Sequence, residues 1–355
     1  MAPFSLSTSE YIRAMPKAEL HLHLEGSLRL STILKLAAKN QLKIPFATVE
    51  EFEARHYNFR DFQEFIPALL LGVNCMRRPE DFRDAVLELG KELSDQKVRY
   101  AEITWTPQFY RRLGWSFDDI LAALNEGRQD IELNLGVKIN WIVDLVRSVP
   151  GPAGEVTAWA CSETARIGGV VALGLGGPEA THSAIPFAEH FRLARERGLP
   201  ANPHAGEGAG PWSILAALDL LGASRIGHGV RACEDQALME LLAVRKVALE
   251  ICPTSNLRLG LYPSYADHPL KRLVTAGCPV TINSDDPALF RTTLTEEYLH
   301  AVADCGLTLN ELKESVLLAI ASSHQSEERR QEMTTAFQSE FNRMDTEKNI
   351  HTTQT

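Results

Sequence analysis

The side chains that suit metal binding and acid–base chemistry fall in four short segments of this chain. Each segment follows or ends a short apolar run that is typical of a buried strand. Imidazoles and carboxylates delivered from several strand ends are what a metal-dependent hydrolase needs. The segments are His21-Leu-His23, His204-Ala-Gly-Glu207, Gly227-His228-Gly229 and Ser284-Asp285-Asp286.

The first segment pairs two histidines within Leu20-His-Leu-His-Leu24. Successive side chains of a strand point to opposite faces, so His21 and His23 share one face and the leucines share the other. In a barrel we expect the histidines to face the interior and the leucines to face the helices. Two imidazoles in this arrangement suit a single metal ion. The alternative is a pair of histidines on a solvated strand face.

The second and third segments each offer another imidazole. His204 ends an apolar run and Glu207 follows three residues later, which favours a metal ligand with a general acid or base beside it. The alternative is an ordinary loop with a helix-capping Glu, because glycines surround Glu207. Small neighbours leave His228 accessible, although a buried, hydrogen-bonded histidine fits that segment equally well.

The fourth segment places two acidic residues directly after an apolar strand. Adjacent ionised carboxylates at a buried strand end repel each other and lose solvation. A metal resolves this conflict if Asp285 coordinates it and Asp286 binds substrate. The alternative is a helix N-cap with Pro287 as the first helical residue, and both interpretations can hold for Asp286.

The elements that must position these residues are strands that alternate with helices. Helix-like segments, such as the one that starts at Phe117, separate eight β-rich runs, which indicates parallel βαβ units. The sequence therefore predicts an α/β fold, a (β/α)8 TIM barrel of the metal-dependent hydrolase type. A doubly wound open sheet is disfavoured because the polar motifs end four different strands. The runs are Ala18–Leu24, Val98–Thr104, Lys138–Asp144, Val170–Leu175, Pro200–His204, Arg225–His228, Val247–Ile251 and Pro279–Asn283.

We expect a single domain over residues 1–355, with two additions to the barrel. Residues 48–80, after the first strand, are too many for one crossover helix, and they carry Phe59, Phe62 and Phe65 at helical spacing. This segment is either a helix that packs on the barrel or a lid whose Phe62 and Phe65 close over a flat substrate. Residues 325–355 form a charged C-terminal helix or tail.

Composition limits the partners. The chain has 355 residues, a formal net charge of −10 and 45% hydrophobic content. An acidic balance disfavours nucleic acid as a partner, because phosphate binding uses clustered Lys and Arg.

We expect neither a signal peptide nor a membrane span, because no N-terminal signal stands out and no apolar stretch is long enough. The six cysteines form no CxxC pair, so we expect reduced thiols and a cytoplasmic protein. The oligomeric state is not indicated.

The four segments together resemble the adenosine deaminase family of the amidohydrolase superfamily, and the resemblance covers almost the whole barrel. Two longer stretches around the first and fourth segments, and two additional stretches between them, carry the resemblance in the same order as in the family. They are Lys17-Ala-Glu-Leu-His-Leu-His-Leu-Glu-Gly26, Val170-Val-Ala-Leu-Gly-Leu-Gly-Gly-Pro-Glu179, Cys252-Pro-Thr-Ser-Asn256 and Asn283-Ser-Asp-Asp-Pro287.

This resemblance implies one zinc ion per chain and a hydrolase that acts on C–N bonds of a purine nucleoside. The zinc ligands it implies are His21, His23, His204 and Asp285, and the catalytic residues are Glu207, His228 and Asp285. Glu207 would protonate N1 of a 6-aminopurine, and His228 would orient the attacking water. Asp286 would contact N7, the backbone of Gly177 would contact N3, and Glu25 would approach the sugar.

Departures from the family pattern lie on the sugar side. Glu25 stands where most adenosine deaminases have Asp, and Gly174 stands where they also have Asp. The Ser-Ser-Glu segment of adenine deaminases is missing, which favours a nucleoside over a free base. We therefore expect adenosine or 2′-deoxyadenosine as substrate, with 6-aminodeoxyfutalosine as the alternative. Another amidohydrolase reaction and a non-catalytic nucleoside-binding protein are the remaining alternatives.

Overall fold

Eight parallel strands form one sheet in chain order in this computed structural model, which describes residues 7–44, 46, 50–51 and 59–352. Helices connect successive strands. The predicted (β/α)8 TIM barrel is confirmed, because a doubly wound sheet would not place its strands in sequential order. The strands are β1 Lys17–His23, β2 Val98–Trp105, β3 Lys138–Val146, β4 Val170–Gly176, β5 Ala201–Ala205, β6 Arg225–His228, β7 Ala248–Ile251 and β8 Val280–Ile282.

Helices follow each strand and cover the outside of the barrel. A short π-helical stretch, Ala217–Leu221, continues the helix after β5. The α-helices are α1 Thr8–Ala14, α2 Leu30–Lys39, α3 Phe62–Cys75, α4 Pro79–Asp95, α5 Phe117–Leu135, α6 Ala153–Ala160, α7 Glu163–Ile167, α8 Ala188–Glu196, α9 Pro211–Ala216, α10 Gln236–Arg245, α11 Pro253–Arg258, α12 Leu270–Thr275, α13 Pro287–Phe290, α14 Leu294–Ala303, α15 Leu309–Ser322 and α16 Glu327–Thr352.

The barrel closes between β8 and β1 through one short bridge and several side chains. Leu22 pairs with Asp285, and the backbone N–H of His23 donates to the carbonyl of Asp285 at 2.8 Å. Lower down, the side-chain oxygen of Asn283 accepts from the backbone N–H of Leu20 at 2.9 Å. Closure therefore fixes the end of β8 directly against the histidines of β1.

Alternation along β1 sorts its side chains as expected. Leu20 and Leu22 are fully buried in the main hydrophobic core. His21 lies on the opposite face, inside the barrel, where its ring contacts that of His204 with centroids 4.6 Å apart. The period-two pattern thus separates the apolar packing from the polar interior.

The two predicted additions are partly helical. Residues 48, 49 and 52–58 of the first addition lie outside the described residues, while α3 and the start of α4 occupy its remainder. The carboxylate of Asp61 caps α3 by accepting from the backbone N–H of Glu64 at 2.9 Å, as is common for an N-cap. The C-terminal addition is α16, which buries Phe337 and Phe341 in the main core. Among the described residues, no helix combines the length and apolarity that crossing a membrane requires.

Candidate active site

Three imidazoles and one carboxylate converge at the carboxyl end of the barrel. Ligand atoms of His21, His23, His204 and Asp285 all lie within 4.8 Å of one another. Asp285 Oδ1 is 2.9 Å from His23 Nδ1 and 3.3 Å from His21 Nε2. His21 Nε2 and Asp285 Oδ1 are buried and have no hydrogen-bond partner among the described residues. Nitrogen and oxygen donors that are desolvated together fit a divalent metal such as zinc.

A buried carboxylate supports the first of these ligands from the side. His21 Nδ1 lies 2.9 Å from Oε2 of Glu250, and Glu250 Oε1 accepts from Nε of Arg225 at 2.6 Å. Burial alone would raise the pKa of Glu250, but Arg225 and His21 lower it to about 2. An ionised partner on Nδ1 leaves the other ring nitrogen free for a metal.

A second set of possible ligands overlaps the first. It combines His21 and Asp285 with His228 and Cys252. The Cys252 thiol is fully buried, and burial raises its pKa well above the usual range. Since only the thiolate binds metal strongly, the histidine and aspartate set is the better metal site. The two sets share His21 and Asp285.

Glu207 and His228 lie beside this cluster. His228 Nε2 is 3.6 Å from Glu207 Oε1 and 3.9 Å from Asp285 Oδ2. Burial, followed by the charge of Asp285, raises the pKa of Glu207 well above its usual range, which favours a neutral carboxyl. His228 and Asp285 both adopt left-handed backbone conformations, with φ of +60° and +64°. Such conformations are uncommon outside glycine and are typical of functional sites.

The loop that carries Glu207 is organised by a residue to which the sequence analysis gave no role. The carboxylate of Glu179 accepts from the backbone N–H groups of Gly206 at 2.7 Å, Glu207 at 3.0 Å and Ala209 at 3.0 Å. It also accepts from the hydroxyl of Ser213. The sequence did offer a signal for this role. Glu179 directly follows Gly-Gly-Pro, and a carboxylate in such a loop commonly accepts hydrogen bonds from backbone N–H groups.

A cavity of about 650 Å³ opens over the cluster. All five predicted substrate contacts line it, together with most of the metal and acid–base set. His21 lies beneath this lining. The predicted residues on its surface are His23, Glu25, Phe62, Phe65, Gly177, His204, Glu207, His228, Asp285 and Asp286.

Glu25 has one engaged and one available oxygen. Its Oε1 accepts from the backbone N–H of Thr106 at 2.9 Å and from the hydroxyl of Tyr110 at 3.2 Å. Its Oε2 is buried and has no hydrogen-bond partner among the described residues. A buried acceptor without a donor is costly, so this oxygen is suited to a hydroxyl from a ligand.

Gly177 and Asp286 are the two predicted substrate contacts that bind the purine ring in the resemblance, and each has an unusual property. Gly177 has a φ of +98° and a Cβ there would lie 3.3 Å from the backbone nitrogen of Arg147, so this turn favours glycine. Burial, and then the charge of Asp285, raises the pKa of Asp286 to about 6. Asp286 also lies 3.5 Å from His23 Nδ1 through its Oδ2.

Phe59, which precedes α3, and Phe62 and Phe65, which lie in α3, have different surroundings. Phe65 is almost fully buried and stacks on Phe290 with ring centroids 5.1 Å apart. Phe59 packs edge-on against both rings. Phe62 is only half-buried and borders the cavity. The packing interpretation therefore describes Phe59 and most of Phe65, and closure over a substrate stays a prediction.

One further carboxylate near the ligands was not predicted. Asp144, near the end of β3, lines the cavity, and its Oδ2 is 4.0 Å from His204 Nδ1. Burial raises its pKa to about 7. In the sequence Asp144 ends an apolar run as any strand-terminating residue does, so nothing local distinguished it.

Comparisons with known proteins agree with this geometry. The sequence profile named adenosine deaminase matches residues 16–339. An aminodeoxyfutalosine deaminase of Streptomyces coelicolor is 39% identical over 84% of this chain and 77% of its own length. An adenine deaminase of Acinetobacter baylyi is 34% identical over 92% of this chain and 97% of its own. The crystal structure of an amidohydrolase from Burkholderia ambifaria with bound zinc superposes with a TM-score of 0.88 at 26% identity, covering 98% of each chain.

Proposed function

The chain belongs to the adenosine deaminase family and is a hydrolase of C–N bonds in amidine-like purines, and from this premise we propose that it deaminates a 6-aminopurine nucleoside. The observation that carries the proposal is that a buried carboxyl with a raised pKa lines the cavity directly beside the four-donor cluster. Glu207 is that carboxyl. Deamination needs both an activated water and a proton for the ring.

The metal of this proposal is one zinc ion per chain. His21, His23, His204 and Asp285 would hold it, because their donor atoms are desolvated and lie within 4.8 Å of one another. The zinc bound by the Burkholderia ambifaria relative supports this choice. When bound, such an ion lowers the pKa of water so that a nucleophile exists at neutral pH.

The protein residues then handle the purine. Glu207 donates a proton to N1, which draws electron density from C6. His228 hydrogen-bonds to the attacking water and orients it toward C6. The water oxygen bonds to C6, and its two protons pass to the exocyclic nitrogen and back to the Glu207 carboxylate. The bond from C6 to the exocyclic nitrogen then breaks, and ammonia leaves with a 6-oxopurine as product. The carboxyl of Asp286 and the backbone N–H of Gly177 would bind N7 and N3.

The choice of a nucleoside over free adenine rests on the sugar side of the cavity. The unengaged Oε2 of Glu25 is a buried acceptor that a ribose hydroxyl can satisfy. A cavity of about 650 Å³ also extends well past the space that one purine ring fills. Free adenine would leave Oε2 of Glu25 without a donor, and an unpaired buried acceptor weakens binding.

A second candidate substrate is 6-aminodeoxyfutalosine, an adenosine-like molecule with an enlarged 5′ group. The observation that favours it is the apolar wall of the cavity, where Phe62, Ile66 and Leu69 lie. Such a surface binds a bulky substituent better than it binds a 5′ hydroxyl. The relative from Streptomyces coelicolor that bears this name adds support.

A substrate panel tests the proposal. Adenosine, 2′-deoxyadenosine, 6-aminodeoxyfutalosine and adenine are compared by kcat/KM, with ammonia release as a second readout. We expect one of the nucleosides to exceed adenine by about 10- to 100-fold, since leaving a buried acceptor unpaired costs about 1–3 kcal/mol. A higher kcat/KM for adenine would overturn the nucleoside assignment. Absence of ammonia from all four would overturn deamination of these purines.

A further inference from the structure

Two glycines on β4 make room for the carboxylate of Asp144. A Cβ added at Gly174 would lie 1.9 Å from Asp144 Oδ1, and one added at Gly176 would lie 2.6 Å from Asp144 Oδ2. Neither glycine has a left-handed φ, so the backbone itself does not require glycine there. Space for a neighbouring side chain is the remaining reason for both residues.

The sheet register explains how this arrangement arises. Asp144 on β3 pairs directly with Gly174 on β4, and residues paired in this way present their side chains on the same face. That face is the barrel interior, where Asp144 is 4% exposed. An aspartate at position 174, as the adenosine pattern has, would collide with Asp144 in this chain.

The carboxylate of Asp144 faces His204, a proposed metal ligand whose second ring nitrogen has no hydrogen-bond partner among the described residues. His204 Nδ1 and Asp144 Oδ1 are both buried without a hydrogen-bond partner in the described part of the chain. The Oδ2 of Asp144 is 4.0 Å from His204 Nδ1. His21, by contrast, already has Glu250 at 2.9 Å. Metal-binding histidines generally donate their second ring N–H to a carboxylate or carbonyl.

We propose that Asp144 is a positioning residue that accepts the Nδ1–H of His204 and thereby holds Nε2 toward the metal. In this chain the carboxylate comes from β3, and the glycines at 174 and 176 keep its place clear. The inference rests on the metal site of the proposed function, but it does not depend on which purine is the substrate.

Metal affinity and a relocated carboxylate test the proposal. Zinc dissociation constants, from competition with a chromogenic chelator, are compared for the wild type, Asp144→Ala, Asp144→Asn and the double variant Asp144→Ala/Gly174→Asp. Loss of such a partner weakens metal binding by about 10- to 100-fold. We expect that loss in Asp144→Ala and a smaller one in Asp144→Asn, whose amide oxygen still accepts.

The double variant separates positioning from packing. Its aspartate at 174 returns a carboxylate to the same interior face, so we expect it to recover at least half of the lost affinity on a logarithmic scale. A residue needed only for packing would lower the melting temperature and would not be rescued in this way. The exposed Asp219, which does not line the cavity, provides the matched control Asp219→Ala.

The outcomes distinguish the two proposals. A wild type that binds no metal at this site would refute the proposed function itself. A wild type that binds zinc, together with an Asp144→Ala variant of equal affinity, would overturn only the role of Asp144. A raised KM at unchanged zinc affinity would also overturn it, because Asp144 would then contact substrate. If Asp144→Ala does not fold, Asp144→Asn alone carries the comparison.

Discussion

Two sides of the active-site cavity differ in structure and polarity. We call them the rim, formed by strand ends of the barrel, and the wall, formed largely by α3. The rim consists of strand ends, where His23, His204 and Asp285 are fixed by sheet pairing and by polar neighbours. The wall comes largely from α3, a helix outside the sheet, where Phe62 and Ile66 present apolar surface. The rim is polar and attached to the sheet, whereas the wall is apolar and packs on the barrel through side chains.

This difference assigns different tasks to the two regions. Two of the proposed metal ligands have hydrogen-bond partners behind them: His21 lies 2.9 Å from Glu250, and Asp285 accepts from the hydroxyl of Ser255 at 2.7 Å. Such support holds ligands in the geometry that the reaction requires. Phe62 and Ile66 of the wall contribute apolar packing surface, so we expect that changing them leaves the reacting atoms in place. We therefore expect rim variants to abolish chemistry and wall variants to change substrate preference.

The largest expected effect comes from removing a rim imidazole. His204→Ala deletes one of four proposed ligands, and we expect the purified protein to lose its metal and its deaminase activity. Elemental analysis gives the metal content per chain. His182→Ala is the matched control, because His182 also lines the cavity but lies outside the ligand cluster. Full zinc content in His204→Ala would contradict the ligand assignment.

The next effect separates metal binding from proton transfer within the rim. Glu207→Gln keeps the size of the side chain but removes the proton that it donates. We expect unchanged metal content and a kcat lower by about 10²- to 10⁴-fold or more. Steady-state kinetics and elemental analysis are measured on the same preparation. A Glu207→Gln enzyme of normal kcat would refute the general-acid role.

A smaller effect is expected where the rim meets the sugar side. Glu25→Ala removes the free acceptor together with the bonds to Thr106 and Tyr110. A hydrogen bond to a charged group contributes about 1.5–3 kcal/mol, so we expect kcat/KM for the preferred nucleoside to fall by about 10- to 100-fold. The rate with adenine, measured in parallel, should change far less. Equal losses of kcat/KM for the nucleoside and for adenine would show that Glu25 does not contact the sugar.

The smallest effect is expected from the wall. Phe62→Ala removes part of the half-buried apolar surface, and we expect kcat/KM for the substrate with the larger 5′ group to fall by about 3- to 10-fold, with metal content unchanged. The ratio of kcat/KM values for 6-aminodeoxyfutalosine and adenosine is the measurement. A loss of metal in this variant would remove the distinction between rim and wall.

Much of the fold could be predicted because its signals are local. Each predicted run became a strand whose ends lie within two residues of the expected ones, since short apolar runs between helical segments define βαβ units. The segment β5 was recognised despite Pro200 and Pro203, because His204 follows them at a strand end. Helix α16 packs Phe337 and Phe341 into the core, which its charged sequence did not indicate.

The parts of the site that escaped prediction depend on long-range placement. Glu250 and Asp144 look like single acidic residues in apolar strands, and only the sheet register shows what they face. Asp144 acquires a possible role because it pairs with Gly174 and approaches His204. Glu179 has a structural role because its carboxylate accepts hydrogen bonds from the loop that carries Glu207. These relations join distant residues, so one sequence does not display them.

Anomalous diffraction at the zinc absorption edge, from crystals of enzyme purified without added metal, tests the central claim most directly. We predict one strong peak per chain, lying between His21, His23, His204 and Asp285, and a matching peak in crystals of the inactive Glu207→Gln variant soaked with nucleoside. A catalytically active crystal form with no peak there, or with its metal bound elsewhere, would contradict the account.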